Sequence, residues 1–163
     1  MSPTTTHETS ITADPNVPLI RITREFDASP DKVFRAHTDP DLYARWIGPG
    51  RYQVRIDYFD CRSGGSFRFV QSNEGDEYGF HGCFHEVRPS ELIVQTFTYE
   101  GEPDGVALER LVLEDIGEGR TRLTATSLVD SFEGRDAWLA SGMEEGLNEG
   151  YARLDELLAG DAS

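Results

Sequence analysis

His81 and His85 stand four residues apart in "GFHGCFHEV", and on a helix that spacing would turn two imidazoles toward one metal ion. The residues around them alternate as in a strand, where four residues span ~13 Å, too far for two ligands of a single ion. No CxxC, HExxH or carboxylate cluster accompanies them, so neither a metal nor a cofactor is expected. His81 is read instead as a polar group lining a cavity, or as an acid–base residue. Nucleophile chemistry has no better footing, since no GxSxG occurs and neither Cys61 nor Cys83 has a neighbour in sequence that would lower a thiol pKa. Cys83, between Gly82 and Phe84, reads as a small buried apolar residue.

The larger class of candidates is aromatic. Trp46, Tyr58, Phe67, Phe69, Tyr78, Phe80, Phe97 and Tyr99, with Trp138 and Met143 nearer the C-terminus, are the kinds of side chain that line apolar ligand pockets and also fill ordinary cores. Polar tips on His81, Tyr58, Tyr78 and Tyr99 would orient a bound molecule by hydrogen bonds. Gly142, Gly146 and Gly150 recur every fourth residue in "GMEEGLNEGYARLDELL", although each interior glycine costs a helix about 1 kcal/mol relative to alanine. Gly146 then marks a shallow groove beside Met143 and Leu147, open to a sheet or to a ligand.

The elements that must position these residues follow from period and punctuation. "LIRITREF" alternates as a strand with one half-buried face. Ser29 caps a helix that has Pro30 at its first position, and Asp39-Pro40 ends it; Asp39 then caps a second short helix carrying Leu42, Tyr43 and Trp46 on one face. That helix stops at Gly48-Pro49-Gly50, so "WIGPG" reads as a helix stop with an aromatic plug, and as a gate where the fold of the resemblance given below sets a cavity mouth beside it. Tyr52 to Val129 reads as six strands separated by turn signals, paired antiparallel in a meander. Leu139, Met143, Leu147, Gly150, Leu154 and Leu158 then predict one long amphipathic helix. The fold class is α+β: a seven-stranded antiparallel sheet with one face covered by the C-terminal helix, and two short helices after the first strand. Residues 1–17 are polar and Thr-rich and predict a disordered tail, leaving 18–160 as a single domain.

Composition limits the partners. Thirty acidic against fifteen basic residues give a formal charge of −15, which repels phosphate backbones and anionic lipid, so neither nucleic acid nor membrane is expected as a partner. No run approaches the ~18 apolar residues of a membrane span. Two cysteines and no apolar leader predict a cytoplasmic setting. A homodimer is left open.

"FDASPDKVFRAHTDPDLYARWIGPG", "DCRSGGSFRF", "GCFHEVRPSELIVQTF", "EGRTRLTAT" and "GMEEGLNEGYARLDELL" follow one another in this order. Together they resemble the SRPBCC (START-like, Bet v 1-like) superfamily, in the branch similar to the C-terminal domain of the activator of the heat-shock-protein-90 ATPase, across about Leu19 to Leu158. The resemblance implies a helix-grip fold, a curved sheet wrapped around the C-terminal helix with an apolar cavity between them. It implies less about chemistry, because superfamily members bind lipids, hormones, polyketides and antibiotics, and some are cyclases or dehydratases. The chaperone activator carries a separate N-terminal domain, whereas this fold is preceded by a short tail, so direct chaperone activation is not expected. The expected function is binding of a hydrophobic small molecule, apolar or aromatic, without catalysis, at Trp46, Tyr58, Phe67, Phe69, Tyr78, Phe80, His81, Phe97, Tyr99, Trp138, Met143 and Gly146. The alternatives are a cyclase, dehydratase or isomerase acting in the same cavity, and sequestration of a toxic natural product.

Overall fold

Strand alternation and two proline-started helices set the first half of the chain, as a computed structural model of residues 7–47 and 50–160 describes it. A short strand β1 (Ser10–Ala13) precedes β2 (Leu19–Phe26), helix α1 (Pro30–Thr38) and helix α2 (Pro40–Trp46). The Ser29 side chain accepts from the Lys32 amide to cap α1, and the Asp39 carboxylate accepts from the Asp41 and Leu42 amides to cap α2, meeting donors that a helix start leaves orphaned. Then come β3 (Gln53–Phe59), β4 (Ser66–Asn73), β5 (Asp76–Arg88), β6 (Leu92–Tyr99), β7 (Ala107–Gly117), β8 (Arg120–Leu128), α3 (Phe132–Leu139) and α4 (Met143–Ala159). The strands form one open antiparallel sheet in the order β1-β2-β8-β7-β6-β5-β4-β3, so the meander from β3 to β8 is extended by β2 pairing with β8 and β1 with β2. This is the helix-grip arrangement, with α4 against one face of the sheet.

Two expectations need correction. The sheet has eight strands rather than seven, because Ser10–Ala13 lies in what reads as the tail yet pairs with Ile20–Thr23. What holds that segment is distant in sequence: the buried Arg135 guanidinium of α3 donates to the carbonyls of Asp14 at 2.8 Å and Leu19 at 3.2 Å. Residues 1–6 of the expected tail lie outside the described residues, as do Gly48 and Pro49 of the expected gate. The second correction concerns the C-terminal helix, which is two helices. Ser131 caps α3 by accepting from the Gly134 amide at 3.0 Å, and Gly142 turns the chain into α4 with φ +90°, a conformation that costs any residue with a Cβ. The i, i+4 step from Leu139 to Met143 therefore crosses a break that periodicity alone does not register.

The core sits between α4, the two short helices and the inner sheet face. Ile20, Phe26, Val33, Leu123 and Leu154 are completely buried, each stabilising the fold by roughly 1.5–3 kcal/mol through apolar burial. Across this core the buried Arg24 guanidinium of β2 pairs with Asp155 of α4 at 2.6 and 2.9 Å, pinning the C-terminal half of the helix to the sheet.

Candidate functional site

Register decides which side chains face α4. Phe67 and Phe69 of β4, Phe80, Gly82 and Phe84 of β5, Gln95 and Phe97 of β6, Glu109, Leu111 and Leu113 of β7, and Leu123, Ala125 and Ser127 of β8 share the inner face by their pairing. Gly82 is required there, since a Cβ would lie 2.8 Å from the Phe67 ring and 1.9 Å from the Thr96 carbonyl oxygen.

Burial on this face is graded. In the C-terminal half of α4, Leu154 is 0% and Tyr151 4% exposed, and Tyr151 stands edge-on to Phe26 with ring centroids 5.3 Å apart. In its N-terminal half Met143, Gly146 and Leu147 are only half-buried, as are Phe80, Phe97, Leu111 and Ala125 on the sheet. All of these but the glycine pack against the edge of the core. Helix and sheet thus meet tightly at one end and less tightly at the other.

The expected site residues divide accordingly. Phe80, Phe97, Trp138, Met143 and Gly146 are half-buried, the first two with ring centroids 5.6 Å apart. Trp46, Phe67 and Phe69 are buried outright: the Trp46 indole donates to the Ala36 carbonyl at 2.8 Å and stacks on Tyr151, which makes it a pin between α1, α2 and α4. Tyr78 and Tyr99 help to line a recess of about 320 Å³ whose walls also include Arg68, Glu77 and Glu100 and no residue of α4.

Two expected residues are turned away. A bulge between Ile56 and Tyr58 puts Tyr58 opposite Arg68 on the outer face, half exposed, whereas unbroken alternation from Ile56 would have brought it inward. His81 also faces outward, following from Phe80 facing inward, and its Nδ1 lies 2.8 Å from Glu100. Arg68 grips Glu100 with two hydrogen bonds, of 2.8 and 2.9 Å, and also pairs with Asp57. The Arg68 guanidinium and then His81 hold the Glu100 carboxyl down to about 2. This is an outer-face ion network. Cys83 is exposed rather than buried, again by alternation with Gly82 and Phe84. Among the described residues no group of three or more His, Cys, Asp or Glu gathers as a metal would require.

Sequence reading missed a polar cluster on the inner face. Glu109 accepts from the Ser127 hydroxyl at 2.8 Å and from the Gln95 side-chain amide at 3.1 Å. Burial pushes its carboxyl above the usual range, and the two hydrogen bonds only partly oppose that. Burial, and second the Glu109 charge, raise the Tyr43 phenol; burial raises that of Tyr151 too, with a smaller contribution from Glu109. The Cys61 thiol, half-buried near Tyr43, is pushed up to about 11 by burial, which makes it a poor nucleophile. His37, packed edge-on against Trp46 at 4.8 Å, is held down to about 4 by burial. The signal for Glu109 was in the strand: "ALERLVL" places Ala107, Glu109, Leu111 and Leu113 on one side, a carboxyl in an apolar row.

Comparison with known proteins agrees with this architecture. Residues 27–159 match the family model described as activator of Hsp90 ATPase homolog 1-like protein. A crystal structure of a Rhodobacter sphaeroides protein is 28% identical, with TM-score 0.85, covering 94% of this chain and 99% of the other. The solution structure of an Arthrobacter aurescens protein is 25% identical, with TM-score 0.84 and coverage of 94% and 93%. The crystal structure of DynU16, from the dynemicin biosynthetic locus, is similar in fold at 22% identity and TM-score 0.65, covering 87% of this chain and 47% of that one. The comparison with curated proteins gives no match. Among the described residues no helix is long and apolar enough to cross a membrane.

Proposed function

This chain belongs to the family of activator of Hsp90 ATPase homolog 1-like proteins, and within that fold we propose that it binds an apolar or aromatic small molecule between the inner sheet face and the N-terminal half of α4. The observation that carries this reading is the burial gradient: Leu154 and Tyr151 are buried, while Met143 and Leu147 of α4 and Phe80, Phe97 and Leu111 of the inner sheet face keep accessible surface. Apolar walls with a few placed polar groups are the ordinary composition of a small-molecule site. Binding would transfer the ligand from water onto aromatic and aliphatic side chains, gaining about 25 cal/mol per Å² of apolar surface removed from water. Tyr78 and Tyr99 are assigned to the rim; Trp46, Phe67 and Phe69 support the wall from behind.

The chaperone-activating role in the family's description is not part of this reading. Acid–base turnover of the ligand, the alternative, would run through Glu109, Tyr78 or Tyr99, because His81 and Tyr58 are turned outward. Native mass spectrometry of the chain purified from its own host tests the proposal: a non-covalent adduct of small-molecule mass, lost on collisional activation, is expected. An unliganded mass alone, with no saturable uptake of 1-naphthalenemethanol, would contradict it.

A further inference from the structure

Arg24 and Glu109 are both charged residues on the inner face, at positions where alternation calls for apolar ones. Arg24 has its counter-ion in Asp155 at 2.6 Å. Glu109 is held by neutral donors, the Ser127 hydroxyl and the Gln95 amide, and among the described residues no Lys, Arg or His lies within ion-pair distance of it. Two neutral hydrogen bonds fix the plane of a carboxylate but leave its charge uncompensated. Resting on the cavity reading above, we propose that the ligand carries a basic nitrogen and that Glu109, aimed by Gln95 and Ser127, receives its ammonium group beside the aromatic rings of the inner face.

Two features favour a cation over other polar groups. Gln95 and Phe97 lie two residues apart on one face of β6, so a ring stands next to the carboxyl's support, and ring faces attract ammonium groups. The formal charge of −15 draws cations toward the chain and repels anions. Proton balance is met on either route: an ammonium pairs with the carboxylate directly, and a free amine takes the proton from the carboxylic acid, giving the same ion pair. The ligand class is therefore an aromatic or apolar amine.

Calorimetric titration near neutral pH with 1-naphthylmethylamine, 1-naphthalenemethanol and 1-naphthoate, matched in ring and different in charge, tests this. The amine is expected to bind roughly tenfold or more tightly than the alcohol, and Glu109→Gln to bring the two to similar affinity. Ser127→Ala keeps the charge but removes one hydrogen bond aiming it, and should narrow the preference; if Glu109→Gln does not fold, this variant and the unmodified chain decide. Equal binding of amine and alcohol, a preference for naphthoate, or an amine preference that survives Glu109→Gln overturns the amine assignment while leaving the cavity reading intact. Binding of none of the three overturns both.

Discussion

Glu109 is a residue whose position and chemistry disagree, and the disagreement has a measurable sign. Burial raises its carboxyl above the ordinary 4.5, so the folded chain holds that proton more tightly than the unfolded chain. The contribution is favourable below 4.5 and is lost as pH rises through the folded value. Glu109→Gln is expected to raise thermal stability at pH 7 to 8, with the gain fading toward pH 4; melting curves across that range check it, and a destabilised variant at neutral pH would contradict it. The same strand logic shows what could be read beforehand. Phe80 and His81 are adjacent in a strand, so both could not line one cavity, and the sequence already contained that exclusion. Tyr58 was different, since the bulge that turns it outward depends on how β3 pairs with β4 and has no glycine or proline to announce it.

At the scale of elements, helix α4 is positioned by its two ends. Its start is the Gly142 turn at φ +90°, where nothing lies within 4 Å of an added Cβ, so a substitution there meets backbone strain without a steric clash. Gly142→Ala is expected to cost about 1 kcal/mol, seen as a lower urea midpoint at unchanged slope; no change would mean that the break between α3 and α4 relaxes freely. Its later half is fixed by Asp155. Removing that carboxylate strands an Arg24 guanidinium that is only 4% exposed, and Asp155→Ala should destabilise by about 3 kcal/mol, whereas a loss below 0.5 kcal/mol would place the pair among weak surface bridges. Most element boundaries were legible because caps, prolines and alternation announce them. The exceptions were β1 and the α3–α4 break: the first is held by Arg135 from more than a hundred residues away, a contact with no local signature, and the second preserves the leucine spacing across a turn.

For the molecule as a whole, the order of motifs carried the fold, since five short segments in sequence specify which strands neighbour which. It did not carry the site, because the inner face is set by pairing register across six strands, and one bulge or one charged residue in an apolar row changes what a ligand would meet. The division of labour is spatial: the β2, α1 and Leu154 end is closed and supplies stability, while the Met143, Leu147 and Phe97 end is less closed and is assigned to binding. Methyl- and aromatic-labelled NMR during titration with 1-naphthalenemethanol tests that division most directly. Saturable shifts at Leu111, Met143, Leu147, Phe80 and Phe97, with Ile20, Val33 and Leu154 unmoved, are the expected result; shifts confined to the outer-face residues around His81 and Tyr58, or none that saturate, would contradict it.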